Sequence, residues 1–410
     1  PPCCFAKTLR QVKIIRNRPV GGASQAIDRF LKIRLVRAMP SNFTRLGPRP
    51  LALHAFAAWR AHLLAIAALG ARDILDEATA RRIAHVAADP NARLALTAAL
   101  LAETGKRWGA FWEGVAKYRS HPYRRHTADR PHLWRSGNTR LIDFAPGSDA
   151  PPILAIPSLV NSSDVLDLLP KRSLMQGLAE AGFRPLLVDW GEPEPDAARW
   201  TIDRYVADRL TPMLAAIQAE QGQAPVLLGY CMGGLLATAL ATTRPQDVRA
   251  LALLATPWDF HAPSPETARL AAGMAAPFQE AAAPTGVVPT DLLQVLFFAL
   301  DPTLAARKFR RFATLEQSSD TAVLFTAMED WVNGGPGLAA PVAETVLGAW
   351  YGENAVVRGL WRVGGRTVDN RSFTGPTLVA APSRDRIVPP ASARAYAKTA
   401  GSGAVAVLDV

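Results

Sequence analysis

Cysteine is scarce in this sequence: there are three in 410 residues, and two of them, Cys3 and Cys4, stand at the very beginning. Over the body of the chain Cys231 is alone, which excludes a disulfide framework and a Cys-rich metal site and leads us to expect a reducing, cytoplasmic setting. Acid is missing from the first stretch. Residues 1–38 carry nine Lys and Arg against the single Asp28, which is +8 of the net charge of +11. The remainder is close to neutral, so the basic balance lends little support to nucleic-acid binding, and no nucleic-acid partner is expected. The chain opens Pro1-Pro2-Cys3-Cys4 and its first methionine is Met39. Residues 1–38 therefore read as an upstream extension or a cleavable leader outside the fold. Long apolar runs are lacking as well. The best of them, residues 51–69, is broken by His54, Arg60 and His62, which favours a buried helix over a membrane crossing. Histidine is missing from the end: the seven are His54, His62, His85, His121, His126, His132 and His261, and none follows.

What is present is an ordinary globular balance, 49% hydrophobic and 20% charged. Residues 39–130 read as a helical N-terminal region. Asp76-Glu77-Ala78-Thr79 opens one amphipathic run and Asp89-Pro90-Asn91 restarts another. Trp108, Phe111, Trp112, Val115 and Tyr118 follow at helical spacing, a stripe expected to pack against the next domain. Beyond Pro131 the texture changes. Strands are expected at 140–144, 153–156, 185–188, 226–228, 250–255, 377–381 and 404–408, with helices between them at 171–181, 203–221 and 234–243. Such alternation predicts a mostly parallel sheet covered on both faces, an α/β domain over residues 131–410. The gap from 255 to 377 is too long for one crossover. With helical signals at 291–300 and 341–352 it reads as a lid inserted at about 258–370.

Gly229-Tyr230-Cys231-Met232-Gly233-Gly234 falls between an expected strand and an expected helix. A strand that reverses sharply into a helix presents its apical residue as a nucleophile, and Gly229 and Gly233 leave room for that turn. The helix N-terminus would favour a thiolate and lower the pKa of Cys231, and the Met232 N–H would point at a developing oxyanion. The alternative is a small buried thiol beside a tight turn. This context predicts an α/β-hydrolase fold, in which the acid and then a histidine follow the nucleophile in chain order. Asp385 lies just past the expected strand 377–381 and is the candidate acid, the alternative being a loop cap paired with Arg384 or Arg386. The base should follow strand 404–408, just after Val410, where the sequence reads as truncated. His261 is the one internal substitute considered, and chain order argues against it. The second oxyanion donor is expected from Pro157-Ser158-Leu159-Val160-Asn161, with the Val160 N–H first and Leu159 next.

These residues resemble the polyhydroxyalkanoate synthases, cysteine acyltransferases on an α/β-hydrolase core, and in particular their shorter, two-subunit class. The resemblance runs from about Tyr118 to the end. It is carried by Tyr118-Arg119-Ser120-His121-Pro122-Tyr123, by the loop 157–161, and by Asp167-Leu168-Leu169-Pro170-Lys171-Arg172-Ser173-Leu174. Val188-Asp189-Trp190-Gly191, the elbow, Pro257-Trp258-Asp259-Phe260, Trp350-Tyr351-Gly352-Glu353-Asn354 and Asp385-Arg386-Ile387-Val388-Pro389 complete it. Two positions depart from it: Arg386 stands where synthases commonly carry His, and Ser158-Leu159 where many have Pro-Trp.

The resemblance implies that Cys231 is acylated by a 3-hydroxyacyl-coenzyme A, the coenzyme A thioester being substrate, with no cofactor and no metal. A hydroxyl of the growing polyester then takes the acyl group. It also implies a homodimer or a second synthase subunit as partner, and a place in the cytoplasm or at a polyester granule surface. Two other readings stay open. One is a cysteine hydrolase acting on esters, thioesters or lactones, as dienelactone hydrolases do with a similar elbow. The other is a non-catalytic granule-associated or scaffolding homologue that docks through exposed aromatics at 108–112.

Overall fold

The computed structural model describes residues 45–67, 77, 81, 89–126, 128–262, 264–401 and 404–410. The basic stretch 1–38, and most of the helix expected from Asp76, lie outside the described residues. Among the described residues the chain opens with α1 (Leu51–Ala67) and, further on, α2 (Pro90–Ser120). Asp89 caps α2 by accepting the Asn91 N–H, with Pro90 in the first turn where its missing donor costs nothing. Helix α1 is not the buried helix expected: Phe56 and Trp59 are exposed, and only Ala58 is buried among its first ten residues. One face suffices, because Leu51, Ala55 and Ala58 pack onto α2 and α10 (Leu304–Ala313). Among the described residues no helix is long and apolar enough to cross a membrane.

An eight-stranded sheet follows. Its strands are β1 (His132–Ser136), β2 (Thr139–Asp143), β3 (Pro152–Ile156), β4 (Arg184–Asp189), β5 (Val226–Tyr230), β6 (Ala250–Leu254), β7 (Thr377–Ala381) and β8 (Val405–Asp409). Their spatial order is β1-β2-β4-β3-β5-β6-β7-β8. The β1–β2 and β2–β4 pairs are antiparallel and every other pair is parallel. Strand β1 was not foreseen, although the two-residue Gly137-Asn138 link, with Gly137 at φ 58, is a hairpin signal. Central β3 is buried along its whole length, as its unbroken Pro-Ile-Leu-Ala-Ile run requires.

Helices cover both faces, among them α3 (Leu174–Glu180), α4 (Ile202–Tyr205), α5 (Thr211–Gln221), α6 (Met232–Thr243) and α13 (Pro390–Thr399). A π-helical segment, Val206–Leu210, joins α4 to α5 within the expected 203–221. Helix α6 is apolar on all sides and buried from Met232 to Ala241, so each of Leu235, Leu236 and Leu240 contributes about 1.5–3 kcal/mol of transfer free energy. At one edge of the core Arg184 forms a buried ion pair with Asp143, Nη2 to Oδ2 at 2.7 Å.

Between β6 and β7 come α7 (Pro265–Gly273), α8 (Ala275–Ala282), α9 (Thr290–Leu300), α10, α11 (Asp320–Asn333) and α12 (Ala340–Glu344), the last continuing as a π-helix over Thr345–Gly352. The aromatic stripe of α2 packs on this insertion. Phe111, Val115 and Tyr118 are buried against Phe309 and Phe312 of α10, so the stripe is not an open docking face. Arg45 strengthens the junction by donating to both Asp330 carboxylate oxygens and to the carbonyls of His121 and Tyr123.

Candidate active site

The turn from β5 into α6 holds Cys231 at φ 54 and ψ −125, a backbone conformation that costs a non-glycine residue free energy and persists only where the surroundings impose it. They do so by hydrogen bonds on both sides: the Cys231 N–H donates to the Leu254 carbonyl at 2.8 Å, and its own carbonyl accepts the Gly234 N–H at 2.9 Å. The flanking glycines are sterically required. A Cβ on Gly233 would lie 2.0 Å from the Ile156 carbonyl oxygen at the end of β3, and one on Gly229 would lie 2.3 Å from the Gly234 Cα. Helix and strand approach so closely here that only hydrogen fits.

Two cavities open onto Cys231. The first, of about 460 Å³, has an apolar wall that includes Phe278, Leu293, Phe297, Leu347 and Trp350. The second, of about 1150 Å³, is the more polar of the two, with Arg49, His54, Asn161, Lys308, Glu329 and Asn333 in its wall beside apolar Phe298, Leu304 and Trp331. Ser158, Val160, Cys231 and Asp385 belong to both walls, so the thiol stands where the two spaces meet.

The thiol pKa runs opposite to the helix-terminus expectation. Burial pushes it up to about 11. The Met232 N–H, donating to the sulfur, pulls it down, and the Asp385 charge adds a further rise. Desolvation of the thiolate wins because no cation acts on the sulfur to offset it.

Asp385 follows β7 in a loop that its own carboxylate shapes, Oδ1 accepting the N–H groups of Ile387 at 2.8 Å and Val388 at 3.0 Å. Arg386 does not pair with it; it reaches Asp301 at 3.1 Å instead. The Val160 N–H donates to the Ser158 hydroxyl at 3.2 Å, so this candidate oxyanion donor is engaged within its own loop. Trp190 braces that loop by donating its indole N–H to the Pro157 carbonyl at 3.3 Å. His261 belongs to neither cavity wall. Its Nε2 bonds the Tyr351 carbonyl at 2.7 Å and its backbone N–H donates to Asp259. Asn354 completes this group by donating to Asp259 and accepting the Phe260 N–H, so the segments 257–260 and 350–354 are held together.

Sequence reasoning missed His54. Among the described residues it is the one histidine in either wall, and it was read only as an interruption of an apolar run. Nothing in the local pattern places a residue of α1 in the same cavity as Cys231. No cluster of three or more His, Cys, Asp or Glu side chains able to hold a metal occurs among the described residues.

The model of the alpha/beta hydrolase fold matches residues 151–408, well over half of the chain. The chain belongs to the alpha/beta hydrolase fold family. Curated relatives of the chain include polymerases. The poly(3-hydroxyalkanoate) polymerase subunit PhaC of Haloferax mediterranei is 28% identical over 270 residues, 64% of this chain and 55% of that protein. The protein of the same name from Allochromatium vinosum is 29% identical over 253 residues, 61% of this chain and 71% of the relative. That of Synechocystis is 29% identical over 274 residues, 64% of this chain and 72% of the relative. The Haloferax match thus spans little more than half of that protein's length.

Proposed function

We propose that this alpha/beta hydrolase-fold chain is an acyltransferase that polymerises 3-hydroxyacyl-coenzyme A thioesters through an acyl group carried on Cys231. The observation that carries the reading is the place of Cys231: a strained elbow at the meeting point of an apolar and a polar cavity. The apolar space suits a short acyl chain, and the polar one suits the thioester arm or an incoming hydroxyl. The names of the curated relatives support the same substrate class.

In this mechanism a base, oriented by Asp385, takes the thiol proton. The sulfur attacks the thioester carbonyl and the oxyanion forms against the Met232 N–H, with the Val160 N–H as second donor once Ser158 releases it. The carbon–sulfur bond to coenzyme A breaks, and the departing sulfur takes the proton back from the base. The hydroxyl of a chain or monomer then attacks the Cys231 thioester, losing its proton to the same base, and the thiol is regenerated. Work at a polyester granule, as a homodimer or with a second subunit, belongs to the same proposal. The test is incubation of the full chain with 3-hydroxybutyryl-coenzyme A. Thiol release with polymer supports the reading. Release with free hydroxy acid makes the protein a hydrolase, and no release makes it a binding homologue. Cys231→Ala should abolish release in either enzyme.

A further inference from the structure

Another cavity, of about 280 Å³, lies between α1, α2 and α10. Cys231 is not in its wall, and the one residue it shares with the polar cavity is Arg307. Ala57 and Ala58 of α1, Leu100 of α2 and Ala306 of α10 make part of it apolar. Arg107 of α2 and Arg307 and Arg310 of α10 bring three guanidiniums, against the single carboxylate of Glu103. The packing of the two helices holds these charges together. Gly114 lets α2 approach α10 so closely that a Cβ there would lie 2.0 Å from the Phe309 carbonyl oxygen.

Two of the three guanidiniums are held by neighbours. Arg107 Nε donates to Glu103 at 2.7 Å, and Arg307 donates to both Asp301 carboxylate oxygens, at 3.2 and 2.8 Å. Arg310 differs: among the described residues it has neither a hydrogen bond nor an ion pair, and Glu103 acts on it only through its charge. Burial, and then the Arg107 and Arg307 charges, hold the Arg310 guanidinium below the usual arginine range, although it stays protonated. An anion in the groove would relieve that repulsion and occupy the free fork of donors. Three positive groups against one negative give the lining a formal charge of +2. A phosphate monoester, with a charge of about −1.5 to −2 at pH 7, matches it better than a carboxylate does.

We propose that this groove binds a phosphate monoester bearing an apolar tail, with Arg310 as its main ligand, Arg107 and Arg307 beside it, and the tail over Ala57, Ala58 and Ala306. The site is independent of the reaction assigned to Cys231. Two sources share this chemistry. One is a soluble alkyl phosphate. The other is the phosphate headgroup of a lipid surface, which the exposed Phe56 and Trp59 of α1, their rings 6.1 Å apart, would enter beside the groove.

The experiment titrates the full chain with hexyl phosphate in a calorimeter. Binding that Arg310→Gln weakens about tenfold, and Arg107→Gln about three- to tenfold, supports the site. No binding, equal affinity for hexan-1-ol, or equal affinity in folded variants overturns it. Co-sedimentation with vesicles of phosphatidylcholine and phosphatidic acid separates the sources. Vesicle binding that is lost in Arg310→Gln names the lipid headgroup, and hexyl phosphate binding without vesicle binding names the soluble ester. Should a variant fail to fold, phenylglyoxal labelling of the unsubstituted chain decides: saturating hexyl phosphate must protect Arg310, read by peptide mass spectrometry, and undiminished labelling overturns the site. Where 3-hydroxybutyryl-coenzyme A releases its thiol, Arg310→Gln should leave the KM for that thioester unchanged. A KM raised as far as the Kd for hexyl phosphate would assign the groove to the substrate's own phosphates and overturn it as a separate site.

Discussion

The raised pKa of Cys231 makes a sharp kinetic prediction. With the thiol pushed up to about 11 by burial, roughly one molecule in ten thousand carries the thiolate at pH 7, against a few per cent for an ordinary thiol near ~8.5. Alkylation by iodoacetamide proceeds through the thiolate. Its rate at Cys231 in the ligand-free chain is therefore expected to rise about tenfold per pH unit from pH 7 to pH 10 and to bend only near 11. At neutral pH the reaction should run some hundredfold or more below that of a free thiol. Peptide-level mass spectrometry reads Cys231 apart from Cys3 and Cys4. The Asp385→Asn change removes a like charge and should move the whole profile to lower pH. The sign for stability agrees: a folded-state pKa above the ordinary one means that stability held below about pH 8.5 is lost as pH climbs toward 11. A plateau of reactivity below pH 8 would refute the reasoning, since it requires a cation or base at the sulfur that is not found there among the described residues.

Four further outcomes are expected. Gly233→Ala, whose Cβ would meet the Ile156 carbonyl at 2.0 Å, should cost about 2–3 kcal/mol or prevent folding, as read by thermal melting. Arg184→Met strands the buried Asp143 carboxylate and should lower urea stability by about 3–5 kcal/mol, whereas replacing both partners by apolar residues should recover much of it. His54, held near pKa 4 by burial, should make the fold less stable as pH falls from 6.5 to 4, by on the order of 3 kcal/mol, and His54→Phe should flatten that slope. On the acyl-transfer reading, Leu293→Trp fills part of the 460 Å³ apolar cavity and should depress turnover of 3-hydroxyhexanoyl-coenzyme A more than of the 3-hydroxybutyryl thioester, measured as the ratio of kcat/KM values.

The sequence by itself determined the elements with local signatures. Runs such as Pro152–Ile156 and Thr377–Ala381 are short, apolar and bounded by turn residues, so they read as strands and are strands. The elbow was legible because its steric need is met by two glycines at fixed spacing around one residue, and Asp385 because it stands directly after a strand. Tertiary structure decided what depends on partners distant in the chain. The thiol pKa of Cys231 is set first by enclosure, which outweighs the lowering by the Met232 N–H at the helix start, and Asp385 adds to the rise, so the local argument saw only the smaller, opposing influence. Phe111 and Tyr118 are buried only because α10, some two hundred residues later, lies against them. His54 joins the cavity of Cys231 only because α1 packs on the insertion between β6 and β7. Periodicity and spacing report forces acting within a few residues; burial and electrostatics sum over everything the fold brings near, and that sum exists only in three dimensions.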